Sequence, residues 1–318
     1  MPIDVFLTPA PAYDRPELAA TVGSLLERCG CRPAPGARVL VKPNLVAPYN
    51  AALSCTHPAV LRAACAYLAD CGARVSVGDS PAFGTAKGVA ARGGHAQALK
   101  GLPVRLVNFS NPRKVPLRRG GSIGVAGQAL DADLLVNLPR FKVHDQMLLT
   151  LAVKNTFGCV TGFRKAWAHQ VHGEKGDRFE SMLMDVHLAM PPMVSLMDGI
   201  TAMHRCGPAN GEAYPRGLLG ASESAVALDT ALYALLGLPP ERAPLGREAL
   251  ARRLPGARLE EIAFPLGRPQ DFPAPGFELP RALGPVAFKP SRFLTGRMKS
   301  LYLRLCALCG VRGKRVRP

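Results

Sequence analysis

One stretch of the chain concentrates groups that can hold anions, move protons or bind metals. Between Lys142 and His172 it carries Lys142, His144, Lys154, Asn155, Lys165, His169 and His172. Lysine ammonium groups bind carboxylate and phosphate, and a lysine stripped of water gives up its proton more easily. Histidine changes charge near neutral pH and is the commonest metal ligand. His144 is expected to transfer a proton. Lys154 either snorkels to solvent or turns into a site. His169 and His172 are spaced H-x-x-H, which on a helix puts both rings on one face, as a metal pair needs. Glu174, Asp177 and Cys159 are the local candidates for further ligands. Structural roles, or hydrogen bonding to a substrate, are the alternatives for this pair.

More polar side chains stand where β-type runs stop. Residues 38–41 end in Lys42-Pro43-Asn44, residues 74–77 close on Gly78-Asp79-Ser80, and Leu134–Leu138 contains Asn137 and gives way to Pro139-Arg140-Phe141-Lys142. Residues 193–197 end in Asp198-Gly199. Lys42, Asn44, Asn137, Lys142, Asn155 and Asp198 are therefore the expected substrate-binding side chains. His144, Lys154 and Asp79 are the expected catalytic ones, with Asp79 or Asp198 orienting His144.

The elements that must position these groups alternate in type. Strand patterns cover residues 4–7, 104–109 and 259–264 besides those above. Helical spacing of apolar residues covers 16–28, 57–71 with Thr56 as cap, 86–99, 146–157, 180–190 and 222–236. On this reading His144 begins a helix, whose dipole disfavours its protonation, and Gly120-Gly121-Ser122 lies in a loop. The fold class expected is α/β: a mostly parallel sheet with helices on both faces, over residues 1–288, with 1–140 and 141–288 as candidate lobes around a cleft. In such sheets ligands bind beyond the carboxyl ends of the strands, where the polar clusters fall.

Bulk composition narrows the function classes. The chain has 318 residues, 48% of them hydrophobic, which suits a packed domain and not disorder. Its nine cysteines are an odd, scattered set, which argues for reduced thiols. No basic-then-apolar leader is visible, so the expected location is cytoplasmic, or peripheral at a membrane. The net charge is +17, and residues 289–318 contain Lys and Arg but no Asp or Glu. Leu301, Leu305 and Leu308 recur there at helical spacing, so this tail either docks on its own domain or meets a membrane surface or a protein partner. No nucleic-acid motif accompanies the charge, and nucleic acid is not an expected partner. No phosphate-cradling loop ends in Gly-Lys-Ser/Thr, and no Gly-x-Ser-x-Gly elbow occurs.

Several motifs in order resemble the domain-of-unknown-function family numbered 362. They are Val41-Lys42-Pro43-Asn44-Leu45, Thr56-His57-Pro58, Val77-Gly78-Asp79-Ser80, Leu135-Val136-Asn137-Leu138-Pro139 through Lys142-Val143-His144, Leu151 through Gly158, Met197-Asp198-Gly199-Ile200, Gly207-Pro208 and Ala225 through Asp229. The resemblance covers roughly residues 35–240. Many members of that family carry a ferredoxin-like domain for two iron–sulfur clusters. This chain lacks the C-x-x-C-x-x-C-x-x-x-C run, so no resident cluster is expected. A looser similarity links His144, Lys154 and His169 or His172, with His57 upstream, to the lactate racemase family. There a nickel-pincer cofactor is held by a lysine and a histidine beside catalytic histidines. The resemblance implies a metal ion or metal-bearing cofactor and redox or isomerase chemistry. The expected function is an enzyme for a small anionic molecule. The alternative is a non-catalytic electron-transfer or cofactor-carrier partner attached through its basic tail.

Overall fold

A computed structural model describes residues 1–286 except Phe163 and Glu174. The basic tail and the candidate ligand Glu174 therefore lie outside the described residues. The chain opens with β1 (Ile3–Asp4), β2 (Phe6–Pro9) and α1 (Leu18–Arg28). β3 (Arg38–Pro43), α2 (Ala51–Ser54) and α3 (Pro58–Asp70) come next. His57, not Thr56, caps α3: its Nδ1 accepts from Ala59 N, and Pro58 needs no partner at the first helical position. After β4 (Arg74–Asp79), the pattern expected to give one helix breaks at Gly93-Gly94 into α4 (Ala86–Arg92) and α5 (His95–Ala98). Gly94 takes φ 80°, a left-handed turn that no continuous helix contains.

β5 (Val104–Asn108) leads into a hairpin of β6 (Pro112–Pro116) and β7 (Ser122–Ala126), joined through Gly120-Gly121. α6 (Gly127–Leu130), β8 (Leu134–Leu138) and β9 (Arg140–His144) follow. Residues 146–157 do not form the expected helix. They fold as β10 (Leu148–Thr150), antiparallel to β9, then the short α7 (Ala152–Asn155) and a 3-10 turn. α8 (Arg164–His172) and α9 (Arg178–Leu188) precede two long strands, β11 (Met193–His204) and β12 (Glu212–Ser222). α10 (Ala225–Leu235), α11 (Pro244–Ala251) and β13 (Ile262–Ala263) complete the order.

Nine strands share one sheet, in the order β10-β9-β11-β8-β3-β4-β5, with β12 joined to β11 and β2. The pairs from β9 through β5 are parallel, and β10, β12 and β2 add antiparallel contacts. Strands from both sides of residue 140 thus sit in the same sheet. Alternation along β3 sends Leu40 into one core and Val39 and Val41 into the other. α1 and α3 cover the second core, while α7, α9, α10 and α11 cover the first. The parallel strands β3, β4 and β8 finish on the same side, at Lys42, Asp79 and Asn137.

Candidate active site

The amide of Asn155 is the hub of a polar network at that edge. Its Oδ1 accepts from Lys42 Nζ at 3.2 Å and from Asn44 Nδ2 at 2.8 Å, and its Nδ2 donates to Asn137 Oδ1 at 2.8 Å. Asn137 in turn donates to Ala152 O and Ser195 Oγ. Lys42, fully buried, lies 3.1 Å from Asp79 Oδ1 and also donates to Pro43 O. Asp79 accepts from Leu45 N and Ser80 N, both at 2.7 Å. A Cβ on Gly158 would fall 2.3 Å from Asp79 Oδ1 and from Lys42 Nζ, so only glycine lets the chain pass over this ion pair. These residues chiefly satisfy one another, with Asn44 Oδ1 the one buried atom among them left without a partner among the described residues.

A second set of groups lies beside it. On β9, Arg140, Lys142 and His144 alternate with the core residues Phe141 and Val143. Thr150 of β10 lies directly opposite Lys142 in the register, so the two side chains share a face. The Thr150 hydroxyl is buried with no hydrogen-bond partner among the described residues. Leu148, opposite His144, takes φ 65°, a strained conformation for a leucine that turns β10 back along β9. α7 and α8 bring in Lys154, Lys165 and His169, with Lys154 and Lys165 half-buried. Lys154 Nζ stands over the Phe157 ring at 5.1 Å and Lys165 Nζ at 5.7 Å.

Burial and mutual repulsion shift these groups toward their neutral forms. Burial lowers Lys142 to about 7; Cys55 opposes it most strongly, the charges of Arg140 and Lys154 add to the lowering, and Asp79 opposes it least. Burial with Lys165 and Lys42 lowers Lys154 to about 7, and burial with Lys42 lowers Lys165 to about 8. Burial, then Lys154 and Lys165, lowers His169 to about 3 against its bond to Val286. His144 is held well below its ordinary range by burial, then Lys154, Lys142 and His169. No helix follows His144, so the helix-dipole account does not apply.

Hydrogen bonds fix how each imidazole is turned. His144 Nδ1 accepts from the backbone N–H groups of Gln146 (3.1 Å) and Met147 (3.3 Å), which leaves the proton on Nε2. His169 Nδ1 lies 3.1 Å from the Val286 carbonyl, an obligate acceptor, so Nδ1 donates and Nε2 keeps a lone pair. His144 is thus a hydrogen-bond donor and His169 an acceptor. The lysine amines differ as well. Lys142 donates to Ser54 O at 2.5 Å and Lys165 donates to Ser80 O, whereas Lys154 makes no hydrogen bond to the described residues.

Asp198 belongs to a third arrangement. It pairs with the buried Arg140 at 2.6 Å and accepts from Tyr13 OH at 2.8 Å and His57 N at 2.7 Å. Tyr13 stacks on His57 at 3.6 Å between ring centroids. The expected substrate-binding residues thus divide among the Asn155 network, a cluster of buried amines and imidazoles short of negative charge, and this separate salt bridge. His172 lies half-buried near Lys175 and Arg178, outside the pocket that holds His169. Of the further ligands expected, Asp177 pairs with Arg119, and burial pushes the Cys159 thiol up to about 12. Among the described residues no group of three His, Cys, Asp or Glu is placed to hold a metal ion. Thr150 gave no sequence signal, since only its strand partner makes it part of the pocket.

Known proteins resemble this chain at two levels. A family model described as "Domain of unknown function (DUF362)" matches residues 39–234. The thylakoid-associated protein sll1697 of Synechocystis sp. is 36% identical over 307 residues, covering 94% of this chain and 95% of the relative. Among solved structures, the lactate racemase apoprotein from Thermoanaerobacterium thermosaccharolyticum aligns with a TM-score of 0.44 and 12% identity, over 69% of this chain and 54% of that one. A Thermotoga maritima protein from structural genomics aligns with a TM-score of 0.43 and 12% identity, over 69% of this chain and 57% of its own. The chain spans little more than half the length of these two structures.

Proposed function

The chain belongs to the domain-of-unknown-function family 362, and from there we propose that it is an enzyme for a small anionic molecule, with Lys154 moving a proton. The observation that carries this is the difference among the three lysines. Lys142 and Lys165 are tied to backbone carbonyls, while Lys154, lowered as far as Lys142, makes no hydrogen bond to the described residues. A proton-transfer group works best when its pKa lies near the working pH. Lys142, Lys165 and the Thr150 hydroxyl hold the carboxylate or phosphate. His144 donates Nε2–H to it, and His169 presents its Nε2 lone pair. The set supports proton abstraction and return, as in an isomerase or the opening step of a redox reaction.

A bare metal ion fits poorly among these amines, which repel it and bring no carboxylate beyond the paired Asp79. A metal-bearing organic cofactor with anionic groups fits better. Its anions would meet Lys154 and Lys165, and the unprotonated His169 Nε2 would be the donor atom. Such a group would supply an electron sink. The test needs no cofactor identity: protein purified anaerobically is incubated in heavy water with a panel of small carboxylates and phosphate esters. Wild type is expected to exchange carbon-bound hydrogen in one of them and folded Lys154→Met to exchange none. Equal exchange by the variant would remove Lys154 from the chemistry.

A second reading has two observations in its favour. Residues 289–318 hold nine Lys and Arg and no Asp or Glu, and a relative of nearly full-length similarity is thylakoid-associated. Among the described residues no helix is long and apolar enough to cross a membrane. We read this as peripheral attachment from the cytoplasmic side, for an enzyme or for an accessory protein. Flotation with anionic vesicles is expected to carry the full chain upward, and failure to float would remove the membrane.

A further inference from the structure

We propose that Asp229 of α10 is a positioning residue for this site: it holds the short turn of α7 in place and so fixes where Lys154 stands. The inference rests on the reading of Lys154 given above. α10 is apolar almost throughout, and Ala225 through Leu228 and Ala231 through Tyr233 are buried. Asp229 sits among them, 3% exposed. A carboxylate there loses its water, and burial pushes Asp229 up to about 7 against the two backbone bonds that lower it. Those bonds are the use it is put to. Its Oδ1 accepts from Ala152 N at 2.7 Å and its Oδ2 from Val153 N at 3.1 Å.

α7 needs such a partner. The first amides of a helix have no carbonyl behind them, and a polar side chain at the N-cap ordinarily accepts from them. Leu151 stands at that position and lies in the core, so α7 has no cap of its own. With four residues, α7 is also far shorter than a helix that persists unaided. Other elements grip it instead. Asp229 takes the N–H of Ala152, and Asn137 Nδ2 donates to the carbonyl of the same residue at 3.0 Å. Asn155, at the far end of the turn, is held by Lys42, Asn44 and Asn137. Lys154, just before it, makes no hydrogen bond to the described residues and stands over the Phe157 ring. Its place is therefore set through the backbone, which Asp229 holds at one end and the Asn155 network at the other.

Charge and position forecast opposite results for one substitution. Asp229→Asn keeps the size of the side chain, removes its negative charge and turns an NH2 toward one of the two amides. Were Asp229 acting on the pocket by charge alone, losing a carboxylate would tighten anion binding. Positioning predicts weaker binding, because Lys154 no longer faces the anion. Phosphate affinity at pH 8 is measured by titration calorimetry for full-length wild type, Asp229→Asn, Lys154→Met and the double variant, each checked for folding by circular dichroism. Each single variant is expected to bind about ten-fold more weakly, and the double variant no more weakly than Lys154→Met alone. Losses that add in the double variant, or an Asp229→Asn affinity equal to or above that of wild type, overturn the proposal. If Asp229→Asn does not fold, Asp229→Ser, which keeps one acceptor, is carried through the same cycle. Wild type that binds no phosphate removes the anion pocket and this inference with it. Binding lost in Lys154→Met but kept in Asp229→Asn removes the inference alone.

Discussion

Two buried clusters a strand apart treat positive charge in opposite ways. Around Asp198, one guanidinium meets one carboxylate, and Tyr13 and the His57 N–H fill the remaining lone pairs. Around Lys154, three lysines and two histidines gather with one carboxylate, which Lys42 already holds. The first cluster is balanced in charge, and its carboxylate is fully bonded, although Arg140 Nε has no partner among the described residues. The second is short of negative charge, and burial forces its amines toward the neutral form. A buried site that lacks a counter-ion is completed by a ligand that supplies one. Charge balance, more than residue type, separates scaffold from site in this molecule.

The comparison can be broken by substitutions on each side. Asp198→Ala strands the Arg140 charge in the interior and is expected to cost about 3–5 kcal/mol in urea unfolding. Lys154→Met removes a charge that nothing balances and is expected to leave stability level or raised. A large loss in Lys154→Met would mean that the amine is structural. Gly158→Ala drives a methyl into the Lys42–Asp79 pair and is expected to cost about 1–3 kcal/mol. That variant should also lower the affinity of the neighbouring pocket for phosphate, measured by calorimetry.

Lys142 sharpens the contrast through pH. Its folded value, about 7, lies below the ordinary 10.5, so between those limits the unfolded chain binds more protons. Stability should therefore climb with pH across that window, at most about 1.4 kcal/mol per pH unit from this group. Lys142→Met should flatten the climb, as followed by denaturation at pH 7 through 10. The smallest effect belongs to the bonded side. Tyr13→Phe deletes the hydroxyl that donates to Asp198 and accepts from Thr201 N, and is expected to cost about 1 kcal/mol with no change in anion affinity.

The strand ends were legible because apolar runs such as residues 38–41 stop at polar residues, and parallel strands bring those ends together. Lys42, Asn44, Asp79, Asn137 and Asn155 do meet there, though mostly to bond one another. Local spacing misled between 146 and 157, where Leu148, Leu149, Leu151 and Val153 satisfy helical and extended patterns alike. Pairing with β9, a tertiary effect, decides for the strand. Prolines at both ends of β6, and Pro215 with Gly217 inside β12, hid those strands behind turn-like composition. Imidazole roles were illegible in principle: only the N–H groups of Gln146 and Met147, and the carbonyl of Val286, say which nitrogen of His144 and His169 carries the proton.

Titration calorimetry with inorganic phosphate at pH 8, in two buffers of different ionisation enthalpy, bears most directly on the unbalanced pocket. Phosphate should bind wild type with net proton uptake, because the anion recharges amines depressed to about 7 and 8. In folded Lys154→Met both the affinity and the proton uptake should fall. Absence of anion binding at any pH, or binding without proton uptake that Lys154→Met leaves unaltered, would contradict the account.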